Sequence, residues 1–183
     1  MMLGTRLAGW SVLCLMPCSS ALSIDPSSPT VTPVASSLGP ESRVIEKWHG
    51  TWAVKCTRHK PLPPMEVTYD ETFEWVLDHR YLRSETSRKS DGGMSSSMIW
   101  FDILTKSYRF VIYDSSGLAV MLPPPKWNEA TQTMEWKSGM FDPVSYNGYA
   151  NFKSPDTIVW KSLWKDWKGT VILDIEGTSV RKR

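Results

Sequence analysis

Asp78, His79 and Glu85 are the side chains of this sequence whose types best suit general acid–base chemistry. That chemistry needs paired titratable groups that reach the same substrate atoms, so these residues would have to face a shared cavity. Asp78 and His79 are equally well explained as turn residues, since Asp hydrogen-bonds to the nearby backbone in turns. An enzyme is therefore the least favoured function class, and no catalytic residue is predicted.

The sequence also lacks the patterns that would indicate a nucleophile or a metal site. The stretch 114–117, Asp-Ser-Ser-Gly, has no G-x-S-x-G context and is predicted to be a hairpin turn. The chain has three histidines, His49, His59 and His79. They do not stand at metal-ligand spacing from one another or from Cys56. The sequence therefore predicts no metal site and no cofactor.

The ten tryptophans are the compositional feature that bears most directly on function. Indole rings bury a large area and also provide flat surfaces for ligands. If Trp52 points inward, the alternation of side chains along strands places a set of further residues on the inner face of a barrel: Trp75, Phe101, Trp136, Phe152, Trp160, Ser162 and Trp164. An apolar wall with one hydroxyl, at Ser162, is the composition expected of a small-molecule pocket. These inward residues and Trp52 are the predicted ligand-binding residues.

Two other arrangements of the aromatic residues stay open. The inward side chains could pack the interior completely and leave no room for a ligand, because a barrel of about eight strands just fills its own interior. Alternatively, exposed indoles at Trp100, Trp127 and Trp167 could form a non-catalytic protein- or carbohydrate-interaction surface. The two functions differ in whether the tryptophans face the interior or the solvent.

Strands must position these side chains. The stretch from Ser97 to Ser138 holds successive short apolar runs divided by Asp, Asn, Ser, Gly and Pro, which is typical of antiparallel strands joined locally. Further strands are predicted at 51–57, 73–77, 81–87, 149–153, 157–165 and 170–176. About eight to ten strands without a long return connection favour an all-β, antiparallel up-and-down barrel. A short helix is predicted before them at 40–48, with Ser42 as its N-cap.

The amino-terminal region has the pattern of an export signal. Residues 1–21 combine Arg6, an apolar run from Leu7 to Met16, and small residues up to Ala21, as in a secretory signal peptide. Lipidation of Cys18 is the alternative, but Met16 and Pro17 stand where a lipoprotein site has small residues. Residues 22–40 are rich in Ser and Pro and are predicted to be a disordered linker. The protein is therefore predicted to be extracytoplasmic, either periplasmic or secreted.

Residues 41–183 are predicted to form the one folded domain, since a chain of this length has room for a single all-β core. The net charge is +2, with acidic and basic residues interspersed, so no nucleic-acid partner is predicted. The apolar run near the amino terminus is too short to span a bilayer. The predicted partner is a small apolar or amphipathic ligand, and no oligomeric state is predicted.

Two motifs carry a resemblance to a known group of proteins. Gly50-Thr51-Trp52 follows the predicted helix and resembles the G-x-W signature of the lipocalins and the wider calycin group. The stretch 101–108, followed by 113–117, resembles a bacterial family of uncharacterised lipocalin-like domains that carry an aromatic-Asp-x-x-Thr-Lys-x-Tyr turn in mid-barrel. The resemblance covers Trp48 to Glu176.

The resemblance implies a calycin-type barrel and no established activity. In lipocalins an Arg of the closing strand packs over the G-x-W tryptophan, which implies that Arg181 or Arg183 covers Trp52 here. Some calycin-like barrels bind haem through a histidine of their later strands. No histidine follows His79, so haem of that type is not expected.

Overall fold

The computed structural model of the chain describes residues 39–138 and 144–183. The predicted signal peptide, residues 1–21, lies outside the described residues, as does the predicted linker up to residue 38. Within the described ranges, no helix is both long and apolar enough to cross a bilayer.

The described chain forms one short helix and eleven strands. In chain order they are α1 (Pro40–Glu46), β1 (Gly50–Lys60), β2 (Met65–Val76), β3 (Tyr81–Thr86), β4 (Ser95–Asp102), β5 (Ser107–Asp114), β6 (Ala119–Met121), β7 (Lys126–Asn128), β8 (Thr133–Lys137), β9 (Val144–Ser154), β10 (Thr157–Asp166) and β11 (Val171–Arg181). Gly39 is the N-cap residue of α1, so the predicted N-cap at Ser42 is wrong. Pro40 suits the first helical position because the N–H it lacks would have no helical partner there.

The strands form one antiparallel sheet in which consecutive strands pair with each other, except β6 and β7, and β1 also pairs with β11. The sheet runs from β6 through β1 and β11 to β7 and curls into a half-barrel. This confirms the predicted all-β, antiparallel up-and-down architecture. The edge strands β6 and β7 have three residues each, and no ladder joins them within the described part of the chain. Such short edges, joined by a proline-rich segment, limit pairing with other chains.

The first two strands show why the sheet has one buried face. In β1 the side chains of Trp52, Val54 and Cys56 are buried, and the residues between them are exposed. β2 begins at Met65, so the predicted start at Phe73 is wrong. The missed segment, residues 65–72, is mostly polar, and Glu71 occupies one of its inward positions. A polar residue on the inward face interrupts the apolar alternation by which a strand is recognised in a sequence.

The turn between β4 and β5 is built around Asp102, at the stretch that carries the resemblance to the bacterial family. The Asp102 carboxylate accepts the backbone N–H of Leu104 at 2.9 Å and of Thr105 at 3.3 Å. A hydrogen bond with the Thr105 side chain, together with these two backbone bonds, holds the pKa of Asp102 below its usual range. Lys106 closes the turn with a φ of 49°.

α1 packs at the end of the half-barrel where β1 begins. The indole N–H of Trp52 donates to the backbone oxygen of Trp48 at 2.6 Å, and the Trp75 indole N–H donates to the Glu46 carboxylate. The Arg181 guanidinium lies 4.2 Å from the centre of the Trp52 ring. Of the two arginines that the resemblance offers, Arg181 is therefore the one that covers Trp52.

Arg181 also ties three chain segments together. It donates to the backbone oxygens of Lys47, at 3.0 Å, and of His49, just before β1. It further donates to the oxygen of Pro155 in the turn between β9 and β10, at 3.1 Å. The end of β11 thereby fixes the helix end of the half-barrel.

Candidate functional site

A cavity of about 820 Å³ lies on the inner face of the sheet. It extends from Trp48 and Trp52, beside α1, to the far ends of the strands, where Leu118, Val144 and Ile172 border it. Those three side chains are all exposed, so the cavity opens to solvent at the end opposite α1. Its volume lies within the range of about 300 to 1,000 Å³ that is typical of small-molecule sites.

β10 supplies an aromatic wall of this cavity. The Trp160 indole N–H donates to the Ser179 hydroxyl at 3.1 Å, and the Trp164 indole N–H donates to the Ser162 hydroxyl at 2.8 Å. Gly177 lies opposite Trp160 in the β10–β11 register, and a Cβ there would come within 2.8 Å of the indole. Since their N–H groups are engaged within the protein, the two indoles offer the cavity apolar surface.

The structure brings part of the predicted inward set to the cavity: Trp52, Trp136, Trp160, Ser162 and Trp164. The other members pack elsewhere in the core. Phe152 meets Trp48 edge-on at 4.6 Å, and Phe101 meets Tyr108 at 5.3 Å. Trp75 is held at α1 by its hydrogen bond to Glu46.

The predicted surface indoles are not all on the surface. Trp167 is 77% exposed, with the Lys168 ammonium 4.9 Å from its ring centre. Trp127 is half-buried in β7, where it packs against Phe152 at 6.0 Å, so its predicted exposure is wrong. The prediction is also wrong for Trp100, which is half-buried and tilts against Tyr81 at 5.7 Å.

Glu71 is the functional candidate that the sequence analysis missed. It lies on β2 among the inward residues and borders the cavity. Its carboxylate accepts the Ser84 hydroxyl at 2.7 Å, and the Ser84 oxygen lies 2.6 Å from that of Ser97. Burial raises the pKa of Glu71, and the Ser84 hydrogen bond and the charge of Lys89 oppose that rise.

One sequence signal could have identified Glu71. Extending the alternation of Phe73 and Trp75 backwards along β2 puts Glu71 on the same face. A carboxylate at an inward position is costly unless it is hydrogen-bonded or has a role, so it would have been a candidate. The strand was predicted to begin too late for this signal to be used.

The acid–base candidates named from the sequence do not border the cavity. Asp78 and His79 lie in the turn between β2 and β3, where both are exposed and have positive φ values of 54° and 61°. Glu85 is exposed on β3 and pairs with Arg83 at 3.6 Å. The geometry gives these side chains no common substrate position.

Asp114 and Cys56, whose side chains could also take part in chemistry, have structural explanations. Asp114 accepts the backbone N–H of Ser116 at 2.8 Å in the predicted hairpin turn, and Gly117 there has a φ of 90°. Cys56 is 2% exposed, and burial raises the pKa of its thiol to about 11, which disfavours the reactive thiolate. Across residues 39–138 and 144–183, no group of three His, Cys, Asp or Glu side chains is placed to hold a metal ion.

A family model described as "Protein of unknown function (DUF1579)" matches residues 37–178. The chain belongs to this family. The resemblance to an uncharacterised bacterial family is thereby confirmed. A search of curated proteins gives no match to this DUF1579 member.

Two solved structures share the fold. The crystal structure of Rv2717c from M. tuberculosis aligns with a TM-score of 0.60 at 13% identity, over 80% of this chain and 99% of that one. The S-type phycobiliprotein lyase CPES from Guillardia theta aligns with a TM-score of 0.51 at 16% identity, over 77% of this chain and 92% of that one. At these identities the likeness concerns the fold alone.

Proposed function

We propose that this DUF1579 member is an exported protein that binds one small apolar or amphipathic ligand inside its half-barrel. The observation that carries this proposal is the cavity of about 820 Å³ lined by Trp52, Trp136, Trp160 and Trp164. A packed interior would leave no space of this size, so the cavity supports a ligand over an aromatic plug.

The chemistry of the walls supports an apolar ligand body. The N–H groups of Trp52, Trp160 and Trp164 each have an acceptor within the protein, at 2.6, 3.1 and 2.8 Å. These three rings can therefore contact a ligand without leaving their own donors unpaired, whereas the buried N–H of Trp136 has no acceptor among the described residues. Transfer of apolar ligand surface from water to such walls contributes about 25 cal/mol per Å².

Nile red tests this proposal because it is neutral and fluoresces in apolar surroundings. Wild-type protein should bind it with saturation at one molecule per chain. Trp160→Ala should change its dissociation constant several-fold, because Trp160 borders the cavity. Trp167→Ala is the matched control, since Trp167 is exposed and does not line the cavity.

Each outcome of the Nile red titration bears on the proposal. Far-ultraviolet circular dichroism of both variants establishes that they are folded before their affinities are compared. The proposal is wrong if folded wild-type protein takes up no Nile red. It is also wrong if Trp167→Ala weakens binding as much as Trp160→Ala does.

Export is a separate part of the proposal. The charge at Arg6, the apolar run that follows and the small residues up to Ala21 support cleavage by a signal peptidase. Mass spectrometry of the mature amino terminus from fractionated cells should place its start just after Ala21, in the extracytoplasmic fraction. Cytoplasmic protein that still begins at Met1 or Met2 would overturn export without affecting the binding proposal.

A further inference from the structure

We propose that Glu71 is the recognition point for the polar end of the ligand, and that this ligand carries a protonated amine on an apolar body. This inference rests on the proposed binding function of the cavity. It adds the chemical class of the ligand and the residue that selects it.

The direction of the hydrogen bonds around Glu71 shows that its carboxylate can accept further hydrogen bonds. Ser84 has one hydroxyl hydrogen, which it donates to Glu71 Oε1 at 2.7 Å. Ser97 must then be the donor in its contact with Ser84, at 2.6 Å. Ser84 and Ser97 are 0% and 5% exposed, so this chain of hydroxyls is fixed inside the wall.

Both hydroxyl hydrogens therefore point toward Glu71, and the carboxylate remains an acceptor. A carboxylate has about four lone-pair positions, whereas Ser84 fills one. Among the described side chains, Ser84 is the one donor to Glu71. A ligand with several N–H donors would supply the hydrogen bonds that the wall leaves unmade.

The charges that face the cavity favour a cation over an anion beside Glu71. Glu71 and Asp114 bring two carboxylates to the lining. Lys161 is drawn to the outer face, where its ammonium lies 3.1 Å from Glu176. Lys89 is the remaining lining cation in the described chain, with its ammonium 5.1 Å from the ring centre of Tyr69. Its single positive charge acts on both Glu71 and Asp114, so two carboxylates share one cation.

The surroundings of Glu71 also suit an amphipathic amine. In the β1–β2 register Glu71 lies directly opposite Trp52. The head group of an amine bound at Glu71 would therefore lie beside Trp52, and its apolar chain could pack against the tryptophans that line the cavity. Ammonium groups are attracted to aromatic faces as well as to carboxylates.

A series of ligands with one chain length tests this inference. Dodecylamine, dodecanol and dodecanoate share an apolar chain and differ in the head group, and each can displace Nile red below its aggregation concentration. Wild-type protein should bind dodecylamine at least about tenfold more tightly than dodecanoate, since the ammonium group makes charge-assisted hydrogen bonds to Glu71 and the carboxylate of dodecanoate cannot.

The variant Glu71→Gln keeps the size of the side chain and removes its charge. It should weaken dodecylamine binding about tenfold and leave dodecanol binding unchanged. Glu74→Gln is the matched control, because Glu74 is exposed on the same strand and does not border the cavity. It should retain the wild-type preference for the amine.

The outcomes separate this inference from the proposed function. If Nile red does not bind wild-type protein at all, the binding proposal fails. If Nile red and dodecanol bind but the amine has no advantage, or if Glu71→Gln retains that advantage, this inference alone fails. Tighter binding of dodecanoate would also overturn it, by making Lys89 the recognition point. The wild-type ligand series decides between head groups even if the variant does not fold.

Discussion

Replacing Arg181 by Met should destabilise the protein by about 2 to 4 kcal/mol. Met retains an unbranched apolar stem, so the substitution removes the guanidinium and its contacts more than the packing. The side chain is only 26% exposed, and it joins the end of β11 to the segment before β1 and to the turn at Pro155. Loss of these contacts should therefore loosen the helix end of the half-barrel.

The magnitude follows from the separate contacts of Arg181. The cation–π contact with Trp52, at 4.2 Å, contributes about 0.5 to 2 kcal/mol. The hydrogen bonds to the oxygens of Lys47, His49 and Pro155 would contribute about 1.5 to 3 kcal/mol each if fully desolvated. Water can replace part of each bond at this partly exposed position, so the total is expected to be well below their sum.

Urea unfolding followed by tryptophan fluorescence measures the effect. The midpoint should fall while the slope with urea stays unchanged, since the unfolded state is the same. Arg183→Met is the control, because the Arg183 side chain is 92% exposed and pairs at the surface with the Asp156 carboxylate, at 3.5 Å. It should stay within about 0.5 kcal/mol of wild type. Equal losses in the two variants would refute the assignment of Arg181 as the residue that fixes this end.

Three further predictions concern residues of the inner face. Trp52→Ala should lower the free energy of unfolding by about 3 to 5 kcal/mol, because Trp52 is only 1% exposed. Trp127→Ala should lower it clearly less, because Trp127 is half-buried. Equal losses in the two variants would contradict the inward assignment of Trp52. Cys56 should react with a thiol reagent only after unfolding, because burial raises its pKa to about 11; equal rates in native and unfolded protein would contradict this. Glu71→Gln should raise the unfolding free energy relative to wild type at neutral pH. Burial raises the folded-state pKa of Glu71, so the wild type loses stability as the pH rises above the pKa of Glu71 in the unfolded chain. The extra stability of Glu71→Gln should therefore vanish below that unfolded-state pKa. Extra stability that is independent of pH would contradict this prediction.

Local patterns in the sequence were sufficient to predict the architecture. The alternation in β1 and β10 correctly placed Trp52, Trp160 and Trp164 on the inner face, because each strand has one apolar face. The resemblance to the lipocalins, carried by the G-x-W motif, implied that Arg181 or Arg183 covers Trp52, and Arg181 does so.

The errors share a physical cause, since they fall where tertiary contacts outweigh local composition. β2 was predicted to begin too late because the inward Glu71 interrupts its apolar pattern. Trp127 follows a proline run and was predicted to be exposed, but β7 pairs with β8 and brings it against Phe152. The hydrogen-bonded hydroxyls of Ser97 and Ser84 meet because these residues pair in the register between β3 and β4. That register cannot be predicted from the sequence of either strand by itself.

A crystal structure of the protein with bound Nile red tests the central claim most directly. The account predicts density for one dye molecule inside the half-barrel, in contact with Trp52 and Trp160. Density for the dye only on the outer surface, for example at the exposed Trp167, with nothing bound in the cavity, would contradict it.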